Sequence, residues 1–226
     1  MFAGIPSEGE IKNMAKLNYF KGNIDDMGGP SANMYGMDCN ECEDGRCIGC
    51  KRLDRSNKRL IGLLRKARNI EGIKNVYIRS GIRYDLASPE LIKELAAHHI
   101  YDTLRIAPEH VNKEVLKIMN KGNGDIKKFI KEFEKTKSKK WISFYFLAAH
   151  PGTGMKEAEE LANAIKEFNN TDLIQIFTPT PMTVSTCMYY TGLDPKAKKK
   201  IYVPYAYSEK KKQKRILFER SRIPRR

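Results

Sequence analysis

Asn23-Ile24-Asp25-Asp26-Met27-Gly28-Gly29-Pro30, continuing into Ser31-Ala32-Asn33-Met34-Tyr35, is a short apolar run halted by Gly-Gly-Pro. Glycine tolerates positive φ and proline supplies no backbone donor, so the run reads as a strand that ends abruptly. A hydrophilic loop follows directly, with Cys39, Cys42, Cys47 and Cys50 spaced C-x2-C-x4-C-x2-C. Two close thiol pairs a few residues apart fold back so that four thiolates converge on one ion, as soft tetrahedral metals require. The alternative, a coincidence of core thiols, fits poorly with a polar loop and regular spacing. Zinc would fold the loop, whereas a [4Fe–4S] cluster, also held by four cysteines, would bring redox chemistry, and the spacing leaves both open.

Working outward, helices and strands alternate. Ser7 and Glu10 form a capping-box pattern, with Ile11, Met14, Ala15 and Leu17 at helical spacing behind it. Strands are expected over residues 23–27, 75–78, 103–106, 141–147 and 173–177. Between them, Ser56 is placed to cap a helix that buries Leu60, Ile61, Leu63, Leu64 and Ala67, and Ser88-Pro89-Glu90 opens another with a cap and a first-turn proline. Further helices are expected over 112–119, 125–136, 155–168 and 184–190. Such alternation implies parallel strands joined by right-handed crossovers, hence an α/β fold with its site at the carboxyl ends of the strands. Every unusual motif in the chain sits at one of those ends.

With 226 residues and 41% hydrophobic content, the chain suits one domain or one and a half with a substantial core. No uncharged apolar run reaches the length of a membrane span, and the first residues lack the pattern of a signal peptide, which points to the cytoplasm and to no membrane partner. Thiol pairs in a reducing compartment are more often ligands than disulfides. The formal charge of +15 is concentrated at the end: residues 196–226 hold thirteen Lys and Arg against Glu209 and Glu219, a surplus of eleven. A terminal block of like charge reads as a solvated or disordered tail, with an arm for phosphate backbones as the other reading.

Arg105 and Glu109 flank a strand end, an arrangement able to hold a carboxylate with the arginine and hydroxyls or an amine with the glutamate; a salt bridge closing the loop is the structural reading. Ser80, Arg83 and Asp85 are similar. His150, before Pro-Gly, suits either a proton carrier or a turn cap. His98 and His99 at a helix end, and Cys187 in an apolar segment, read as structural and packed.

Taken together, Asp26 to Tyr35, Arg79 to Leu86 (Arg-Ser-Gly-Ile-Arg-Tyr-Asp-Leu), Ile106 to His110 (Ile-Ala-Pro-Glu-His), Ala149 to Thr153 (Ala-His-Pro-Gly-Thr) and Phe177 to Thr183 (Phe-Thr-Pro-Thr-Pro-Met-Thr) resemble the YgiQ-type radical S-adenosylmethionine proteins, over nearly the whole chain. The resemblance implies a partial parallel (β/α) barrel of radical SAM type, strands two to six, over residues 1–195, with a Cys-rich metal-binding insertion at 36–55 and a basic C-terminal tail at 196–226. It implies S-adenosylmethionine across the strand ends, the methionine amine at Gly28 and Gly29. Pro30 replaces the usual acidic residue, so amine recognition falls to Asp26 or Glu109. Ser80, Arg105, Glu109, His150 and the segment from Pro179 to Met182 would bracket the rest of the ligand.

One departure dominates. The C-x3-C-x2-C loop that binds the radical-generating cluster in the superfamily is absent, as is the strand before it. The expectation is therefore the C-terminal part of a radical SAM enzyme, inactive alone, which pairs with a separate N-terminal part carrying C-x3-C-x2-C or self-associates through the exposed barrel edge. The other reading is a catalytically inactive zinc-binding module whose basic tail binds nucleic acid.

Overall fold

A computed structural model describes residues 6–29, 32–37, 39, 50–121, 124–168 and 170–221. Cys42, Cys47 and Pro30 lie outside the described residues. The chain divides into two compact units, Met1–Ala107 with Gly124–Ile142 and Pro108–Asn123 with Ser143–Arg226.

In the first unit, α1 (Glu8–Ala15) starts at the capping box, where the Ser7 N–H donates to Glu10 Oε2 at 2.6 Å and Ser7 Oγ accepts from the Glu10 N–H. β1 (Asn23–Ile24) and β2 (Asn75–Val76) pair in parallel. Both are shorter than expected, although extended pairing continues, with the Tyr77 N–H donating to Ile24 O and the Met27 N–H to Tyr77 O at 2.7 Å. α2 (Lys58–Arg68) buries Leu60, Ile61, Leu64 and Ala67. Its cap is not Ser56 but Asn57, held at φ 55° without a side-chain capping bond. The Asn57 amide is spent elsewhere: it donates to Asn33 O at 2.9 Å and accepts from the Ser88 N–H at 2.8 Å.

α3 (Pro89–Glu94) begins with Ser88 Oγ accepting from the Leu91 N–H, as its sequence requires. It runs into a wider turn over Leu95–His99, which ends with His99 fully buried and its Nδ1 donating to Val76 O at 2.8 Å. β3 (Thr103–Glu109) follows, and Ile82 bridges Ile106 in parallel. The start of β4 (Trp141–Ala148) joins the same unit, where the Trp141 N–H donates to Asp102 O at 3.0 Å. Leu64, Ile78, Ile82, Leu91, Leu95, Leu104 and Ile106 fill this core, with Phe129 and Phe133 of α5 (Ile126–Glu134).

In the second unit, α4 (Lys113–Ile118) precedes the remainder of β4, which pairs in parallel with β5 (Thr171–Ile176) from Phe144 to Ala148. From Phe144 onward burial alternates along β4, because one face packs on Phe168, which follows α6 (Met155–Ile165): Phe144 and Phe146 lie 4.7 and 5.5 Å from its ring, while Tyr145 and Leu147 are only half-buried. α7 (Val184–Thr191) ends at Gly192 with φ 66°. Cys187 proves exposed rather than packed, since this helix buries only Met188. A hairpin of β6 (Leu193–Asp194) and β7 (Lys199–Lys200) leads to α8 (Tyr207–Arg220). The charge run that reads as a solvated tail thus contains a 14-residue helix, and Leu217 and Gln213 on its inner face are fully buried. A stripe at 210, 213 and 217 repeats at helical spacing and docks α8 despite its charge.

Candidate functional site

The Gly-Gly turn is built as a knot between two strand ends of the first unit. Asp26 Oδ1 accepts from the Arg79 and Ser80 N–H groups at 3.0 and 3.2 Å, and Ser80 Oγ donates to Asp26 Oδ2. Gly28 is required beneath it: a Cβ there would lie 2.6 Å from Asp26 Oδ1 and 2.9 Å from Ser80 Cβ. At Gly29 the space is open, with none of the described residues within 4 Å of a Cβ position. On the other side of the knot, Arg105 Nη1 donates to Arg79 O at 3.4 Å. Asp26, Gly28, Ser80 and Arg105, singled out along the sequence, are therefore linked through two residues, Arg79 and Ser80. A carboxylate and a guanidinium on one small turn complement a zwitterion with both an ammonium and a carboxylate.

Supporting residues behind this turn are less visible in the sequence. Asn33, fully buried, donates to Arg83 O at 2.7 Å and accepts from the Arg83 N–H at 2.9 Å, and its own carbonyl receives the Asn57 amide. Arg83 then pairs with Asp85 through two bonds of 3.0 and 2.6 Å, so both are structural ions rather than ligand contacts. Each buried amide has its partners, which holds Asn33, Asn57 and Arg83 in one rigid arrangement.

The second unit carries Glu109 and His150. Glu109 closes β3 at φ 67°, a left-handed conformation costly for a side chain with a Cβ. Its ion-pair partner is Lys121, which donates to Oε1 at 3.3 Å, and buried Oε2 has no hydrogen-bond partner among the described residues. Burial holds its carboxyl above the usual carboxylate range in spite of Lys121. Burial, with the charge of Glu109, also pushes the Tyr145 phenol up to about 12, and Tyr145 donates to Gln175 Oε1 at 2.8 Å.

His150 departs from the expectation of a proton carrier. Its ring is 2% exposed, Nδ1 donates to Pro151 O at 2.7 Å, and Nε2 accepts from Ser185 Oγ at 2.8 Å. Burial lowers its pKa to about 4, so it is a neutral, fully bonded core imidazole with Phe177 against its edge. His110 is likewise neutral: Nδ1 accepts from the Asn112 N–H at 3.0 Å, buried Nε2 has no hydrogen-bond partner among the described residues, and burial, with the charge of His150, brings its pKa to about 4. Gln213 of α8 fixes the loop around His150. Its amide donates to Thr153 O at 3.0 Å and accepts at 3.0 Å from the N–H of Ala149, itself at φ 61°.

Of the cysteine quartet, Cys39 and Cys50 are half-buried free thiols. Met37, Leu53 and Leu86, with Met34, form a small apolar cluster at the base of the loop. Cys50 Sγ accepts from the Arg52 N–H at 3.4 Å. Among the described residues no group of three or more His, Cys, Asp or Glu is arranged to hold a metal, and no helix is long and apolar enough to cross a membrane.

The family model of the Radical SAM superfamily matches residues 46–165, and that of a domain of unknown function, DUF3362, matches residues 172–218. Among curated relatives, a UPF0313 protein of Methanosarcina acetivorans is 42% identical over 229 residues, covering 94% of this chain and 31% of its own length. A UPF0313 protein of Methanocaldococcus jannaschii is 42% identical over 93% of this chain and 38% of its own length, and one of Fusobacterium nucleatum is 38% identical over 93% and 41%. The chain spans 31% to 41% of the length of these relatives. Among solved structures, coproporphyrinogen III oxidase of Escherichia coli, a radical SAM enzyme, matches with a TM-score of 0.46 at 15% identity, over 74% of this chain and 36% of the other.

Proposed function

The chain belongs to the radical SAM superfamily, and from that premise we propose that it is the part of a radical SAM enzyme that holds S-adenosylmethionine, in a partial barrel of strands two to six. The observation that carries the proposal is the turn at Gly28, where a Cβ would strike Asp26 and Ser80 while Gly29 faces open space. A backbone stripped of side chains at a strand end is what close approach of a ligand requires. Asp26 suits the methionine ammonium and Arg105 the carboxylate, with Ser80 fixing the orientation of Asp26. In the second unit, Glu109, whose Oε2 has no partner among the described residues, is by itself an acceptor for a cationic or hydroxyl group. S-adenosylmethionine, once reduced by a cluster, supplies a 5′-deoxyadenosyl radical that abstracts hydrogen. The residues of this chain bind and orient the ligand and keep water from it.

The radical-generating cluster does not fit these residues, because C-x3-C-x2-C is absent from the 226 positions. That loop would be supplied by residues outside these 226, on the same or another polypeptide, and self-association of the chain is the competing arrangement. The cysteine quartet would hold a second centre, zinc or [4Fe–4S], a reading that rests on its C-x2-C-x4-C-x2-C spacing. Mixing the chain with an N-terminal part bearing C-x3-C-x2-C, iron, sulfide and reductant is expected to give 5′-deoxyadenosine. Turnover by the isolated chain would overturn the proposal.

A further inference from the structure

The segment after α7 presents a surface that the radical SAM reading leaves unused. The β6–β7 hairpin pairs Leu193 with Lys200 and Asp194 with Lys199, so that Lys196, Lys198, Lys199 and Lys200 are all exposed around one tip. None of the four is in an ion pair among the described residues, and Lys196 donates to Asn120 Oδ1 at 2.8 Å. At the base of the hairpin the Ile201 N–H donates to Gly192 O, and Tyr205 Oη lies 4.0 Å from a Cβ position on Gly192. Tyrosines gather at this base. Tyr190, Tyr202, Tyr205 and Tyr207 are 74%, 53%, 56% and 64% exposed.

Their hydroxyls are the unusual feature. A surface tyrosine ordinarily sends its hydroxyl to water and tucks its ring against the protein. Here Tyr205 Oη donates to Tyr189 O at 2.7 Å and Tyr202 Oη donates to Glu209 Oε2 at 2.6 Å. Tethered polar ends leave ring surface outward. Tyr189 packs between Tyr190 and Tyr205 at 5.4 and 5.2 Å and takes Lys210 Nζ over its ring at 4.5 Å, which stiffens the set from behind. Lys211 lies over the Tyr207 ring at 4.7 Å and adds charge beside it.

Fixed aromatic rings next to unpaired lysines match one class of ligand, a flexible polyanion with stackable faces. We propose that the face formed by the β6–β7 hairpin and Tyr190, Tyr205 and Tyr207 binds single-stranded nucleic acid, with bases stacked on the rings and phosphates at Lys196, Lys198, Lys199 and Lys200. The exposed lysines and the tethered hydroxyl of Tyr205 favour this over an anionic membrane, which binds through inserted aliphatic or aromatic side chains. The inference does not rest on S-adenosylmethionine binding, since none of its residues belongs to the Gly28 turn.

The test is fluorescence anisotropy of labelled twelve-nucleotide RNA and DNA strands with the whole chain over a salt series. Binding is expected to weaken with salt, and Lys198→Gln, Lys199→Gln and Lys200→Gln together should flatten the logarithmic slope by about 2, from roughly 0.7 per phosphate contact. Tyr190→Ala with Tyr207→Ala should weaken binding by roughly thirtyfold or more, by loss of two stacks, and leave that slope unchanged. Both sets of side chains are exposed, and an unchanged circular dichroism spectrum shows that each variant is folded. RNA bound tighter than DNA would name the sugar. Absence of binding at low salt, an affinity indifferent to the tyrosines, or tighter binding to anionic phosphatidylserine vesicles than to either strand would overturn the proposal.

Discussion

Gln213→Leu should destabilise the second unit far more than its place in a charged helix suggests. The glutamine is fully buried and its amide makes three bonds: from the Ala149 N–H at 3.0 Å, to Thr153 O at 3.0 Å and to Glu209 Oε1 at 3.2 Å. Leucine keeps the volume and the helix propensity but strands the N–H of Ala149 and the carbonyl of Thr153. A buried backbone group left without a partner costs about 1–3 kcal/mol, so the variant should lose about 3 kcal/mol in total. Ala149, at φ 61°, has no cheap way to turn its N–H elsewhere. In urea, with a slope of about 2–3 kcal/mol per molar, the midpoint should fall by about 1 M, whereas Lys212→Ala on the exposed side should move it little. Hydrogen exchange gives a local check, since the Ala149 amide should be slow in the parent chain and fast in the variant. A midpoint within about 0.2 M of the parent would refute the clamp.

Acid should destabilise the same unit through its two buried histidines. His110 and His150 are lowered from 6.5 to about 4, so between these values the unfolded chain binds more protons; their contribution is complete above pH 6.5 and is lost as pH falls to 4. Each is worth up to about 3 kcal/mol, with the sum reduced because the two interact, and Glu109, raised by burial, works in the opposite sense. Urea midpoints that stay level from pH 7.5 to 4.5 would contradict the burial of both rings. For the quartet, anaerobically purified chain should carry one zinc ion or iron–sulfur cluster, and Cys42→Ser with Cys47→Ser should lose it because hydroxyl is a poor ligand for a soft metal. Full metal content in that double variant, by elemental analysis, would remove the assignment.

The order of helices and strands is legible because it rests on local rules. The Ser7 and Glu10 capping box, the Ser88-Pro89 start and the apolar periodicity of α2 each depend on neighbours within one turn. What was not legible depends on partners far along the chain. Asn57 looks like the residue after a serine cap, and only Asn33 and Ser88, 24 and 31 residues away, make it the cap and a buried bridge. His150 beside Pro-Gly suggests a ligand group until Ser185, 35 residues on, takes its second nitrogen. In the C-terminal run, charge dominated the composition, but the stripe of Lys210, Gln213 and Leu217 was there to be read. Cys187 went the other way, since an apolar segment need not be packed when nothing lies over it. At the Gly28 turn the glycines were visible, whereas their cause, the Asp26 and Ser80 bonds pressed against Gly28, is a tertiary fact.

The most direct test of the account is S-adenosylmethionine binding by equilibrium dialysis to the chain and to Gly29→Leu, with urea midpoints for both. Because a Cβ at Gly29 meets none of the described residues within 4 Å, the variant should keep its stability while its leucine occupies the ligand's space, and binding should be lost. Retained binding in a stable Gly29→Leu chain would contradict the claim that this turn holds the ligand.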